Sequence, residues 1–130
     1  MRNKKGVALL LALFTLVIIS LLAVAFLETT TIDLQIVSNQ LKRNQALYIA
    51  DAGVEYAVSI LKTSKSSFSP PPFIFPSGLG STYSVTYVSS SGIITSTGTL
   101  VSGESVTLEA KVSVTGSGPF TVKILYWREL

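Results

Sequence analysis

The hydrophobic pattern begins with one long apolar stretch, Val7 to Leu27, which carries no charge and is interrupted only by Thr15 and Ser20. At ~1.5 Å of helical rise per residue the stretch spans about 30 Å, the thickness of a bilayer's hydrocarbon core. A core helix of a soluble domain needs an apolar stripe and not an apolar surface on every side. The stretch therefore predicts a membrane-spanning helix over residues 7–27.

A secretory signal peptide is the alternative interpretation of this stretch. The apolar region of a signal peptide is about 7–15 residues long and ends at a cleavage site of small residues. Here the apolar run is longer, and it passes into helix-compatible sequence that has no proline before Pro70. The pattern favours a retained membrane span.

Beyond Leu27 the apolar positions recur every three or four residues, which is typical of an amphipathic helix. This stripe consists of Leu34, Val37, Leu41, Ala46, Ala50, Val54, Ala57 and Leu61. The pattern predicts one helix from Val7 to Lys62, with an amphipathic half over 28–62. The β-branched run Thr29–Ile32 lowers helix propensity and predicts a bend or a partly melted turn. A Ser/Pro-rich connection over 63–80 follows, and Pro70–Pro72 prevents the helix from continuing.

From Ser81 onward apolar and polar residues alternate with the period of two that is typical of strands. Four strands are predicted, at Thr82–Val88, Ile93–Leu100, Ser105–Val114 and Phe120–Trp127. Their short glycine-containing connections predict an antiparallel sheet over 81–130. Phe73–Pro76 is expected to cross to this sheet and lay its aromatic side chains over the core.

One face of the third predicted strand is apolar, from Val106 to Val114, and is expected to pack on the helix. The helix residues predicted to meet it are Ala50, Val54, Ala57 and Leu61. Gly53 lowers helix stability by about 1 kcal/mol relative to Ala, so close approach of a strand is expected there. The predicted fold class is α+β, in two layers.

The positive net charge comes from the N-terminal tail. Arg2, Lys4 and Lys5 precede the apolar stretch, and the remaining seven basic residues are matched by seven acidic ones. Basic residues before a span keep that end in the cytoplasm, so the chain from Glu28 onward is expected outside. This distribution gives no basic surface for nucleic acid.

Few residues suited to catalysis are present. The chain has no His and no Cys, which removes the commonest general base, thiol nucleophiles, nearly all zinc sites and any disulfide. Neither a phosphate-binding loop nor a G-x-S-x-G motif occurs. We therefore expect no enzymatic activity, no cofactor and no metal. Asp51 and Glu55, four residues apart on the helix, are better explained by solvation or by lysines of a neighbour than by a paired-carboxylate site.

Two segments resemble the type IV pilin-like superfamily, and more closely the PilX-type minor pilins. They are Lys5–Leu11, where Lys-Gly precedes the apolar run, and Asn44–Glu55, with its small, aromatic and acidic residues. The resemblance covers about the first 60 residues. It implies a filament subunit whose partners are other pilin-like subunits, a prepilin peptidase and the assembly machinery of a pilus or secretion system.

The resemblance also implies a leader of residues 1–6, cleaved after Gly6, and a mature N-terminus at Val7 that is N-methylated. A flexible joint at the membrane surface is the alternative role for Gly6. Most major pilins have glutamate as the fifth mature residue, thought to pair with a neighbour's N-terminal amine, whereas this chain has Leu11. A subunit without that acid suits a filament tip or an initiating complex.

The remaining predictions concern charges and aromatic residues. Glu28, Asp33, Lys42 and Arg43 are candidates for ion pairs between subunits. Tyr126 and Trp127 are expected to be core aromatics of the last strand, with a recognition patch as the alternative.

The sequence is compatible with two functions. The first is a minor pilin or pseudopilin, held in the cytoplasmic membrane and carried to a cell-surface filament on assembly. The second is a membrane-tethered binding or adhesion module that never enters a filament. They differ in leader processing and in whether the span itself is an assembly surface.

Overall fold

The fold consists of one long helix followed by five strands, described by a computed structural model for residues 4–130. In chain order the elements are α1 (Lys4–Leu61), β1 (Phe73–Ile74), β2 (Thr82–Val88), β3 (Ile93–Thr99), β4 (Ser105–Thr115) and β5 (Thr121–Glu129). Two compact units are present, one ending at Asn39 and one running from Gln40 to Leu130; α1 contributes to both. The α+β class is confirmed: the helix packs on an antiparallel sheet.

The described part of the first unit is helix alone, and every residue from Lys4 to Asn39 is exposed. The hydroxyl groups within the apolar stretch are satisfied by the helix itself. Thr15 Oγ1 donates to the carbonyl oxygens of Leu11 (3.1 Å) and Ala12 (2.9 Å), and Ser20 Oγ donates to Leu16 (2.8 Å). Such bonds let hydroxyl side chains lie in a lipid environment. By length and composition, α1 is suited to crossing a membrane.

The partly melted turn predicted near Thr29 is wrong. The helix is continuous through this run, and Thr29, Thr30 and Thr31 each donate a side-chain hydrogen bond to the carbonyl four residues earlier, at 2.9–3.0 Å. The hydroxyls add bonds within the helix and do not compete with it, because their acceptors are the helical carbonyls themselves.

The sheet has five strands in the order β1-β2-β3-β4-β5, all antiparallel, and not the four that the sequence predicted. The additional strand is β1, in the segment expected to be a plain crossing. Phe73 pairs with Tyr83 and Ile74 with Thr82. Two residues are too few to show a period-two pattern in the sequence. This strand forms because the edge of β2 provides its hydrogen-bond partners. The bounds of β3, β4 and β5 differ from the prediction by one or two residues.

The core lies between the helix face and β2–β4. The helix contributes Ala46, Ile49, Ala50, Gly53, Val54, Ala57 and Leu61, all buried. The sheet contributes Tyr83, Val85, Tyr87, Ile94, Val106, Leu108, Ala110 and Val112, with Val114 partly buried beside them. The apolar residues that recur every 3.6 positions along the helix and every two positions along the strands thus form one apolar layer between the helix and the sheet.

An aromatic cluster closes the β1 side of this core. The ring of Phe73 lies 4.8 Å from that of Tyr56 and stacks at 5.3 Å on that of Tyr83. Burial, followed by the neighbouring Tyr56, raises the pKa of the Tyr83 phenol. Phe75 meets Tyr83 edge-on at 6.2 Å, so the aromatic residues of 73–76 do cover the core as the sequence predicted.

Candidate functional site

The N-terminal candidates lie on the first turns of α1. Gly6, Val7 and Leu11 are exposed, and a Cβ placed on Gly6 would meet no atom within 4 Å. Cleavage after Gly6 and methylation of Val7 stay predictions, and residues 1–3 of the predicted leader lie outside the described residues.

Glu28 and Asp33 lie on the same helix and are exposed. Neither forms an ion pair with any residue of 4–130. Their carboxylates are therefore available to a group from another molecule, and pairing between subunits stays a prediction for them.

Lys42 and Arg43 are held within the chain. Lys42 Nζ lies 2.9 Å from Glu104 Oε1 in the β3–β4 connection, and Arg43 donates from Nε and Nη2 to Glu129 Oε1 at the end of β5, at 3.1 and 2.8 Å. These contacts fix one turn of the helix to the β3–β4 connection and to the end of β5. The predicted role of Lys42 and Arg43 between subunits stays a prediction.

The carboxylate of Glu104 is the most perturbed acid in the described chain. Its pKa is lowered from 4.5 to about 2, first by the Ser102 hydroxyl and then by Lys42, which both donate hydrogen bonds to it. The side chain is about one-third exposed, so solvent screens this interaction. Its effect is to hold the β3–β4 connection against the helix.

The backbone of the helix lies in close contact with β3. Ser96 Oγ donates a buried 2.7 Å hydrogen bond to the carbonyl oxygen of Ala50. A Cβ on Gly53 would overlap this hydroxyl, and a Cβ on Gly98 would overlap the carbonyl oxygen of Ala46 and lie 2.5 Å from the nitrogen of Ala50. The helix side chains here are small because the strand occupies the space beside the helix backbone. Ala50, Val54, Ala57 and Leu61, named from the sequence, are all buried in the core between the helix and the sheet.

The interpretation of Tyr126 and Trp127 as core aromatics is wrong. Trp127 is 63% exposed and Tyr126 is 44% exposed. Trp127 lies opposite Ala110 in the β4–β5 pairing and so points to the same side of the sheet as the core. It is exposed because the helix packs mainly over β2–β4 and leaves most of β5, apart from the partly buried Val122, uncovered.

This arrangement forms a notch between α1 and β5. The notch, a cavity of about 210 Å³, is lined by Asp51, Val54, Glu55, Leu108, Ile124 and Trp127. Four of these residues, Asp51, Val54, Glu55 and Trp127, were named from the sequence, but nothing in the sequence placed Trp127 beside the three helix residues. The signal in the sequence that could have indicated the notch is the width of the apolar helix stripe, which is too narrow to cover β5 as well as β2–β4.

A more apolar groove of about 310 Å³ lies on the other flank of the helix. It is lined by Gln45, Tyr48, Ile49, Phe75, Pro76, Leu79, Ser81 and Leu100. Tyr48 and Leu79 are largely exposed there. Both flanks of the helix in the second unit therefore present apolar concave surfaces.

These observations define a class of protein that has one helix suited to crossing a membrane. The C-terminal half of this helix packs on an antiparallel sheet. Residues 5–55 match the model of the PilX N-terminal family. The match includes both segments that carried the resemblance, Lys5–Leu11 and Asn44–Glu55, and is that expected of a type IV pilus-related minor pilin. No curated protein and no solved structure gives a significant match.

Proposed function

We propose that this chain is a structural subunit, a minor pilin or pseudopilin, of a type IV pilus-like filament. The observation that carries the proposal is the PilX N-terminal match over residues 5–55. It falls on a helix whose apolar stretch is exposed on all sides. Such a helix needs lipid or other helices around it.

The helix has two successive environments in this mechanism. The membrane holds the subunit through residues 7–27 until an assembly machine extracts it, and a helical bundle then replaces the lipid. At ~25 cal/mol per Å² of apolar surface, exposing this helix to water is prohibitive, so the transfer runs directly from lipid to bundle. The sheet provides lateral contacts and the outer surface.

Processing precedes assembly. A prepilin peptidase cleaves after Gly6 on the cytoplasmic side, and Val7 becomes the methylated mature N-terminus. Lys4 and Lys5 hold the leader in the cytoplasm, and the sheet lies outside.

Leu11 supports a place at a filament tip or in an initiating complex. No acid precedes Glu28, so this chain has nothing to neutralise the buried amine of another subunit, and an unpaired buried charge is costly. Its own Val7 amine is paired by a neighbour's acid. Filaments composed mostly of this chain would contradict the tip assignment.

The experiment that tests the proposal is the intact mass of the protein from native membranes and from sheared surface filaments. A chain beginning at Val7, with or without a methyl group, in the filament fraction supports the filament subunit. A chain beginning at Met1 and found only in membranes supports the tethered binding module instead.

A span exchange separates the same two functions independently. Replacing residues 7–27 by an unrelated membrane span leaves a tethered module intact but removes the assembly surface of a filament subunit. Assembly that survives the exchange would count against the proposal.

A further inference from the structure

The notch between α1 and β5 combines acid, aromatic and apolar surfaces in one concave site. Val54 and Leu108 form its buried floor, at 5% and 1% exposure, whereas Trp127 and Ile124 form an exposed wall. Asp51 and Glu55 lie one helical turn apart on the opposite wall and are exposed. Carboxylates beside an exposed indole make a site suited to a cation, and the apolar floor is suited to a hydrocarbon stem.

The charges of the second unit single out the same two residues. This unit has five acids, and Glu104, Glu109 and Glu129 are each paired with a basic side chain of the chain. Asp51 and Glu55 form no ion pair with any residue of 4–130, and no basic side chain lines the notch. The two acids of the unit without an ion-pair partner among residues 4–130 therefore both lie beside the open apolar surface.

Strand addition along β5 does not account for the exposed wall. Although β5 is an edge strand, the pairing with β4 shifts between Lys111 and Val112, which leaves Leu125 without a direct partner as a bulge. The strand also carries Lys123 and Arg128. Bulges and basic residues on an edge oppose pairing with another strand. The exposed Trp127 therefore serves contact through side chains.

We propose that the notch binds the side chain of a lysine from a neighbouring pilin-like subunit. The ammonium group, with three donors, lies between Asp51 and Glu55 and against the Trp127 ring, and the methylene stem covers Leu108 and Val54. Lysine fits better than arginine because a compact charge serves two carboxylates on successive turns, whereas a planar guanidinium favours one carboxylate. The cation site stands on the geometry alone; the identity of its occupant rests on the proposed function.

Trp127 is the chain's single tryptophan, so its fluorescence reports directly on the notch. The full chain in detergent micelles is titrated with Nα-acetyl-lysine methylamide and with the neutral Nα-acetyl-norleucine methylamide. We expect a saturable change in Trp127 emission with the lysine probe and an affinity for it about tenfold higher than for the norleucine probe.

Paired variants give the matched control. Asp51→Asn with Glu55→Gln should weaken the lysine probe about tenfold, whereas Glu28→Gln with Asp33→Asn removes two carboxylates elsewhere on the helix and should leave binding unchanged. All four positions are exposed, so folding is preserved. Equal binding of the two probes, or equal binding by both double variants, overturns the cation site.

The occupant is tested in sheared filaments by zero-length coupling. A water-soluble carbodiimide activates a carboxylate and is released as the urea when a lysine amine displaces it, which leaves an amide bond. We expect a peptide that joins Asp51 or Glu55 to a lysine of another subunit. If filaments contain the chain but give no such peptide, the assignment of a neighbouring subunit's lysine to the notch is wrong. Absence of the chain from filaments, with lysine binding intact, overturns the proposed function and leaves the cation site standing.

Discussion

Ser96 on β3 donates its hydroxyl to the carbonyl oxygen of Ala50 on α1, at 2.7 Å and away from solvent. The bond is made where the helix and β3 are in close contact, and Gly53, one turn later, leaves room for the same hydroxyl. A polar side chain in the core thus fixes the position of the helix along the strand, since the hydroxyl has one acceptor within reach.

The first prediction concerns the coupling between Gly53 and Ser96. Gly53→Ala should destabilise the second unit because its Cβ displaces the Ser96 hydroxyl, and Ser96→Ala alone should cost about 1 kcal/mol through the lost hydrogen bond. The double variant should be less destabilised than the sum by about 1 kcal/mol, since the clash disappears with the hydroxyl. Denaturant unfolding of the full chain in micelles measures all three. Strict additivity would show that the two side chains do not compete for this space.

Gly98 should be less tolerant than Gly53. A Cβ at this position meets backbone atoms of Ala46, Ile49 and Ala50, which do not rotate away. Gly98→Ala should lower the free energy of unfolding by about 3 kcal/mol. Thr95→Ala, on the opposite face of the same strand, is the control and should change it by less than about 0.5 kcal/mol. Similar values for both variants would contradict the close approach of helix and strand.

Two leucines of the same helix provide a further comparison. Leu61 is fully buried at the C-terminal end of α1, whereas Leu41 is 58% exposed. Leu61→Ala should cost about 2–5 kcal/mol of stability because it leaves a cavity under the sheet. Leu41→Ala should cost less than about 0.5 kcal/mol. Thermal unfolding followed by near-UV circular dichroism compares them, and a larger effect at Leu41 would place the core elsewhere.

Stability should depend on Glu104 at low pH. Because its pKa is lowered to about 2 in the folded chain from an ordinary 4.5, the carboxylate stabilises the fold above pH 4.5. This contribution is lost as the pH falls from 4.5 towards 2, where the folded state also binds the proton. Glu104→Gln should flatten the pH dependence of the unfolding midpoint in this range.

The control for this prediction is Glu55→Gln, which removes a carboxylate without an ion-pair partner among residues 4–130. Its curve should keep the steep fall of the unmodified chain between pH 4.5 and 2. A Glu104→Gln curve with the same slope as the unmodified chain would show that Ser102 and Lys42 do not hold this carboxylate.

Much of the architecture could be predicted from local patterns. The apolar run over 7–27, the helical stripe that ends at Leu61, and the alternation from Thr82 onward each depend on neighbours in the chain, so the sequence predicts them within a few residues. The resemblance to the PilX N-terminal family could also be recognised from local sequence, because both segments that carry it lie on one helix.

The sequence by itself therefore determined the long helix, the antiparallel sheet and the face on which they meet, since hydrophobic periodicity follows directly from residue order. The tertiary structure alone decided that Phe73–Ile74 is a strand, that Ser96 bonds to Ala50, and that Trp127 lies beside Asp51 and Glu55. These features depend on contacts between residues distant in the chain. They also depend on how far the helix covers the sheet, a width that no local pattern encodes.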